Sequence, residues 1–145
     1  MIITLMVTVA LVVMCVVLHT SAFRLLDNHV TCRPWKVWTK VIVGLLGTIV
    51  AHMLEVGAFA VSYCMLARFE TFGRIDGDIS HALQDYFYYS IATYSTLGYG
   101  DLVPVGPLRV MSGVEALLGL VLVAWTASYL FIVVHENREC KEGCS

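Results

Sequence analysis

The chain has 145 residues, of which 59% are hydrophobic and 14% charged, with a formal net charge of −2. That balance excludes an ordinary soluble domain and fits an integral membrane protein. No basic cluster, internal repeat or low-complexity segment is present, so no nucleic-acid partner is expected.

Three apolar stretches, Ile2–Phe23, Val41–Leu66 and Leu108–Val134, reach the roughly 20 helical residues that a bilayer requires. Ile2 to Leu18 has the hydropathy of a signal peptide but lacks a positively charged start. His19-Thr20-Ser21-Ala22-Phe23 offers no small-x-small cleavage site either. The segment is therefore expected to stay as a first helix, with His19 near its end as an interfacial residue.

Residues 1–40 form a first unit, this helix followed by a polar linker from Arg24 to Lys40. The linker carries Arg24, Arg33, Lys36 and Lys40 against Asp27, with Trp35 and Trp38 beside the next span. Excess Lys and Arg mark the cytoplasmic side, and tryptophans favour the headgroup interface. The N-terminus is accordingly expected outside and the linker inside.

A second unit is expected over residues 41–134. Its first helix, Val41–Leu66, carries His52 and Glu55 three positions apart, on one face. Ionisable groups inside a span face protein or a watery cavity. A polar tether between helices and a proton or metal sensor both fit. Arg68 to Ile79 reads as a solvated turret, with Gly73 and Gly77 opposing helix there. Ser80 is expected to cap a short helix from His81 to about Tyr94, too short and too polar at its start to span. It should re-enter instead.

The loop after that helix is Thr93-Tyr94-Ser95-Thr96-Leu97-Gly98-Tyr99-Gly100-Asp101. Non-helical backbone at membrane depth is tolerated only where it is buried in protein or lines water. Thr96-Leu97-Gly98-Tyr99-Gly100 resembles the selectivity filter of potassium channels, and with Tyr88 to Pro104 it resembles the pore loop of the two-helix bacterial potassium channels. The resemblance covers about a third of the chain, from Ser80 into the helix after Pro107.

That resemblance implies an all-α membrane protein with three transmembrane helices, a re-entrant pore helix and a filter loop, assembled as a homotetramer. Potassium ions, the expected bound species, would be held by the carbonyls of Thr96, Leu97, Gly98 and Tyr99 and by the Thr96 hydroxyl. Gly98 and Gly100 would let successive carbonyls turn the same way. Tyr99 would pack behind the loop, and Thr93 would support the filter. The family pattern is departed from at Leu97, where valine is usual, at Tyr88-Tyr89, where tryptophans are common, and at Ala92, where some members carry glutamate. The Tyr89 hydroxyl is expected to brace Asp101 in place of an indole. A weakly selective cation channel and a non-conducting accessory or sensor subunit are the rival readings. A membrane enzyme ranks below them, because no metal motif has the required spacing, and no organic cofactor is expected.

In the last span, alignment through the filter puts Leu120, Val123 and Ala127 towards a cavity, with Gly113 and Gly119 as hinges or close-packing positions. Glu115 lies roughly 10 Å below the outer end of this span, near the depth of Glu55. A carboxyl at that depth must be paired or protonated. A buried cluster of Glu115, Glu55 and His52 is therefore expected behind the filter rather than in the ion path, bracing the back of the pore helix near Thr93 or Tyr94, with at least one acid neutral.

Residues 135–145 are expected as a short cytoplasmic tail without room for a ligand-sensing domain. Of the five cysteines, Cys15 and Cys64 fall inside spans, which argues against a disulfide framework. Cys32, Cys140 and Cys144 are expected as reduced cytoplasmic thiols, with metal or lipid attachment the alternative for the last two. The membrane is expected to be the plasma or inner membrane.

Overall fold

The computed structural model describes residues 1–31, 35–78, 80 and 82–142. Cys32, Arg33, Ile79, His81 and Cys144 lie outside these, as does the side chain of Cys140.

Helix α1 spans Ile2–Leu26. No glycine or proline interrupts it, so it runs past Phe23 and continues as a π-helical turn over Asp27–Thr31. Its buried residues are Thr4, Thr8, Leu11, Cys15, His19 and Phe23. Their spacing of three and four draws one stripe along the helix, and that stripe packs on α2 and α4. Helix α2, Val37–Leu66, begins four residues before the expected Val41 because Trp38 and Lys40 simply extend it. Helix α4 is Leu108–Glu142, so most of the expected tail is helical. Among the described residues, these three helices are long and apolar enough to cross a bilayer.

Helix α3, Leu83–Tyr94, has 12 residues, about 18 Å of rise against the roughly 30 Å of a hydrocarbon core. It packs between α2 and α4 and does not span. Ser80 does not cap it, since Ala82 holds the N-cap position and makes no side-chain bond. The polarity is reversed: the Ser80 backbone N–H (2.9 Å) and hydroxyl (2.6 Å) both donate to Asp85 Oδ2. An acid in the first turn of α3 thus anchors the preceding chain and complements the helix dipole.

The turret differs from the solvated loop expected of it. Strand β1, Arg74–Gly77, pairs antiparallel with β2, Leu102–Val105, matching Ile75 with Pro104 and Gly77 with Leu102. Ile75 is buried beneath the pair. Gly73 and Gly77 have φ of 104° and 143°. A Cβ on either would strike a backbone carbonyl, that of Val105 or that of Asp101. The glycines therefore permit close approach as well as ending the helix. The turret is tied to the chain just past Asp101, and the mostly helical fold carries one small sheet.

The core is built from Phe59 and Tyr63 of α2, Tyr86 and Tyr89 of α3, and Leu108, Met111, Leu118 and Leu122 of α4, with Leu11 and Cys15 of α1 against them.

Candidate functional site: the pore loop and its supports

The loop begins where α3 stops. Ser95 N–H bonds to the Ile91 carbonyl (3.0 Å) and Thr96 N–H to that of Thr93 (2.9 Å). Leu97 and Gly98 N–H both bond to the Ala92 carbonyl, at 2.9 and 3.1 Å. The last carbonyls of the helix are thereby satisfied, and the donors of the loop are turned back towards it. Among the described residues, no backbone N–H bonds to the carbonyls of residues 96–100.

The backbone then alternates. Positive φ occurs at Thr96 (58°), Gly98 (53°) and Gly100 (83°), with Leu97 and Tyr99 between them. Alternating the sign of φ lets consecutive carbonyls point to one side rather than to opposite sides as in a strand. For threonine, a β-branched residue, that region is an outlier costing about 1–3 kcal/mol. Such strain at a loop is a mark of function. A Cβ added at Gly98 or Gly100 would meet nothing within 4 Å, so within one chain these glycines answer to backbone conformation and not to space. Leu97 is 55% exposed and Tyr99 66%.

Tyr99 stacks on Tyr88 of α3, rings 6.3 Å apart and 7° from parallel. The Tyr88 hydroxyl donates to Asp101 Oδ2 at 2.8 Å. This corrects the expectation for Tyr89. Successive helical residues point about 100° apart, so only one of the two tyrosines faces the loop. The hydrogen bond to Asp101 holds the Tyr88 phenol above its ordinary range. Tyr89 is buried and meets Ser112 Oγ of α4 and the Thr93 side chain.

Behind α3 stand two fully buried acids. Glu115 of α4 accepts from Ser90 Oγ and from the Tyr63 hydroxyl at 2.6 Å. Ser112 Oγ, 3.2 Å from that hydroxyl, extends the network. Glu55 of α2 accepts from the Tyr94 hydroxyl. His52 Nδ1 lies 3.2 Å from its Oε2, and His19 Nδ1 lies 2.9 Å from its Oε1. Both acids brace α3, Glu55 at the expected Tyr94. They reach it through separate partners, Ser90 for Glu115 and Tyr94 for Glu55, one turn apart on α3. His19 was expected at the interface, yet it is fully buried. Its place in the α1 stripe, four residues after Cys15, is the signal that reports this.

Leu120 and Val123 are exposed on α4 (58% and 49%), as is Ala127, all away from the buried Leu118, Leu122 and Thr126. A Cβ on Gly119 would strike the Tyr94 carbonyl oxygen, which makes this glycine a close-packing position. Gly113 has open space.

Two apolar helices enclosing a re-entrant helix and an exposed, alternating loop define an integral membrane protein of the pore-loop class. Residues 39–136 match the family described as Ion channel, and the chain belongs to that family, that of potassium-channel pores. Over 110 residues it is 30% identical to the inward rectifier potassium channel Kirbac3.1 of Paramagnetospirillum magnetotacticum. That match takes in 73% of this chain and 34% of the relative, so the chain spans about a third of the relative's length. The family is one of channels rather than enzymes.

Proposed function

We propose that four copies of this chain assemble around a common axis and conduct potassium passively and selectively. The observation that carries this reading is the alternation of positive φ at Thr96, Gly98 and Gly100 in a loop whose carbonyls accept no backbone bond from the described residues. Such carbonyls are suited to replace the hydration shell of a potassium ion. The carbonyls of Thr96, Leu97, Gly98 and Tyr99 and the Thr96 hydroxyl would hold the ions.

One loop cannot surround an ion, and an exposed irregular loop cannot face lipid, so identical subunits supply the rest of the ring. The C-terminal end of α3 would direct its partial negative charge at the cavity below, favouring a cation there. Leu120, Val123 and Ala127 would line that cavity. The excess of Lys and Arg in the linker supports a filter and N-terminus outside and a C-terminus in the cytoplasm, and the membrane would be the plasma or inner membrane.

Potassium flux into liposomes holding the purified protein tests this reading. It predicts uptake that barium blocks. An absence of flux from well-assembled protein would instead favour a non-conducting accessory subunit.

A further inference from the structure

Helices α1, α2 and α3 meet at a set of side chains that ion conduction does not require. One donor atom each from His19, His52 and Glu55 lie within 4.8 Å of one another. The Tyr94 hydroxyl stands 2.8 Å from His52 Nδ1 and donates to Glu55. On the far side of both imidazoles stands Thr126 of α4, its hydroxyl 3.0 Å from His52 Nε2 and 3.3 Å from His19 Nε2. Phe23 and Trp125 close the site around His19, with ring centroids at 4.5 and 5.6 Å. His19 and Glu55 are fully buried, and His52 keeps 13% exposure.

With both imidazoles neutral and Glu55 ionised, the hydrogen bonds of this group do not close. An ionised Glu55 only accepts, so both Nδ1 atoms must carry protons. Both Nε2 atoms are then acceptors, and both face one Thr126 hydroxyl with a single proton to give. One buried acceptor is left over, together with an uncompensated buried carboxylate, and both are costly. A proton on one ring removes both defects, and so does a metal cation on the Nδ1 side. With the Nδ1 lone pairs on the cation, each imidazole carries its proton on Nε2. Thr126 Oγ then accepts from both rings, one on each lone pair, and the carboxylate has its counter-charge.

We propose that His19, His52 and Glu55, with the Tyr94 hydroxyl beside them, form a buried site for a zinc-like transition-metal ion. Two imidazoles and a carboxylate are the donor set that suits zinc and its neighbours and not magnesium or calcium. Ligands bound at 2.0–2.1 Å in a tetrahedron are about 3.3 Å apart. The Nδ1 atoms lie 2.9 Å from Oε1 and 3.2 Å from Oε2, and with the donor atoms within 4.8 Å of one another the rings would close inward on the ion. Thr126 plays the outer part that fixes ring tautomer and orientation at metal-bound histidines. The bound ion would join α1 and α2 to the last residue of α3, immediately before the filter.

The test is cobalt binding by the full chain in detergent after chelation, which does not depend on conduction. About one cobalt ion per chain should bind, with the intense visible bands of a four-coordinate ion, and zinc should displace it. Affinity should fall as pH falls, since protons compete for the imidazoles. His19→Gln and His52→Gln should each weaken binding by more than about tenfold. His29→Gln, on the exposed turn after α1, should leave it unchanged. The wild-type spectrum decides the matter even if a variant fails to assemble. A six-coordinate spectrum, no binding at about 100 µM free metal, or binding lost with His29 alone would overturn the site. The group would then be closed by a proton only.

Discussion

Glu55 and Glu115 are equally buried and hold the same face of α3 one turn apart, yet their partners differ in kind. Glu115 is met by hydroxyls, those of Ser90 and Tyr63. Glu55 is met by one hydroxyl and two imidazoles, His19 and His52. A hydroxyl network needs only an acceptor of the right shape. The hydroxyl network of Glu115 ties α3 to α4 and α2, whereas the imidazoles of the Glu55 network reach α1 as well through His19.

The largest effect should come from what both braces share, the seat of α3 on α4. Gly119→Val places a side chain on the Tyr94 carbonyl. It should cost about 3 kcal/mol, read as a large drop in the detergent denaturation midpoint and loss of assembled protein. Next comes the direct contrast. Glu115→Gln keeps an acceptor for one of the two hydroxyls, while the other can turn its proton to the Val56 carbonyl or Ser112 Oγ and accept from the amide. It should cost less than about 1 kcal/mol, whereas Glu55→Gln should cost about 2 kcal/mol because the imidazoles lose their charged partner. Equal costs for the two amides would erase the distinction. Ser90→Ala removes one of two donors to Glu115 and should cost about 1–2 kcal/mol.

The smallest effect lies at the mouth. The Asp101 hydrogen bond favours the protonated Tyr88 phenol. Its contribution is therefore full below the ordinary tyrosine value near pH 10 and is lost as pH rises through the higher folded value. Phenolate absorbance of wild type minus Tyr88→Phe should accordingly rise only above pH 10. A difference titrating at or below that value would mean that the bond does not form.

Much of this was legible in the sequence, where the physics is local. Apolar length gave the three spans, and the glycines at 98 and 100 announced the unusual backbone. What escaped depends on contacts between distant segments. Nothing near Arg74 foretells its pairing with Val105, and the choice of Tyr88 over Tyr89 needs the helix rotation set by packing on Ser112. His19 looked interfacial because its partner, Glu55, is 36 residues away. The positive φ of Thr96 had no sequence signal, since threonine rarely adopts it.

The most direct test of the central claim is the reversal potential of the reconstituted protein between potassium and sodium solutions, measured for wild type and for Gly100→Ala. The account predicts a wild-type potential close to the potassium equilibrium value despite Leu97. In the variant a Cβ must be carried at a φ of 83°, and that selectivity should collapse. A reversal potential near zero for wild type, or unchanged potassium selectivity in the variant, would contradict it.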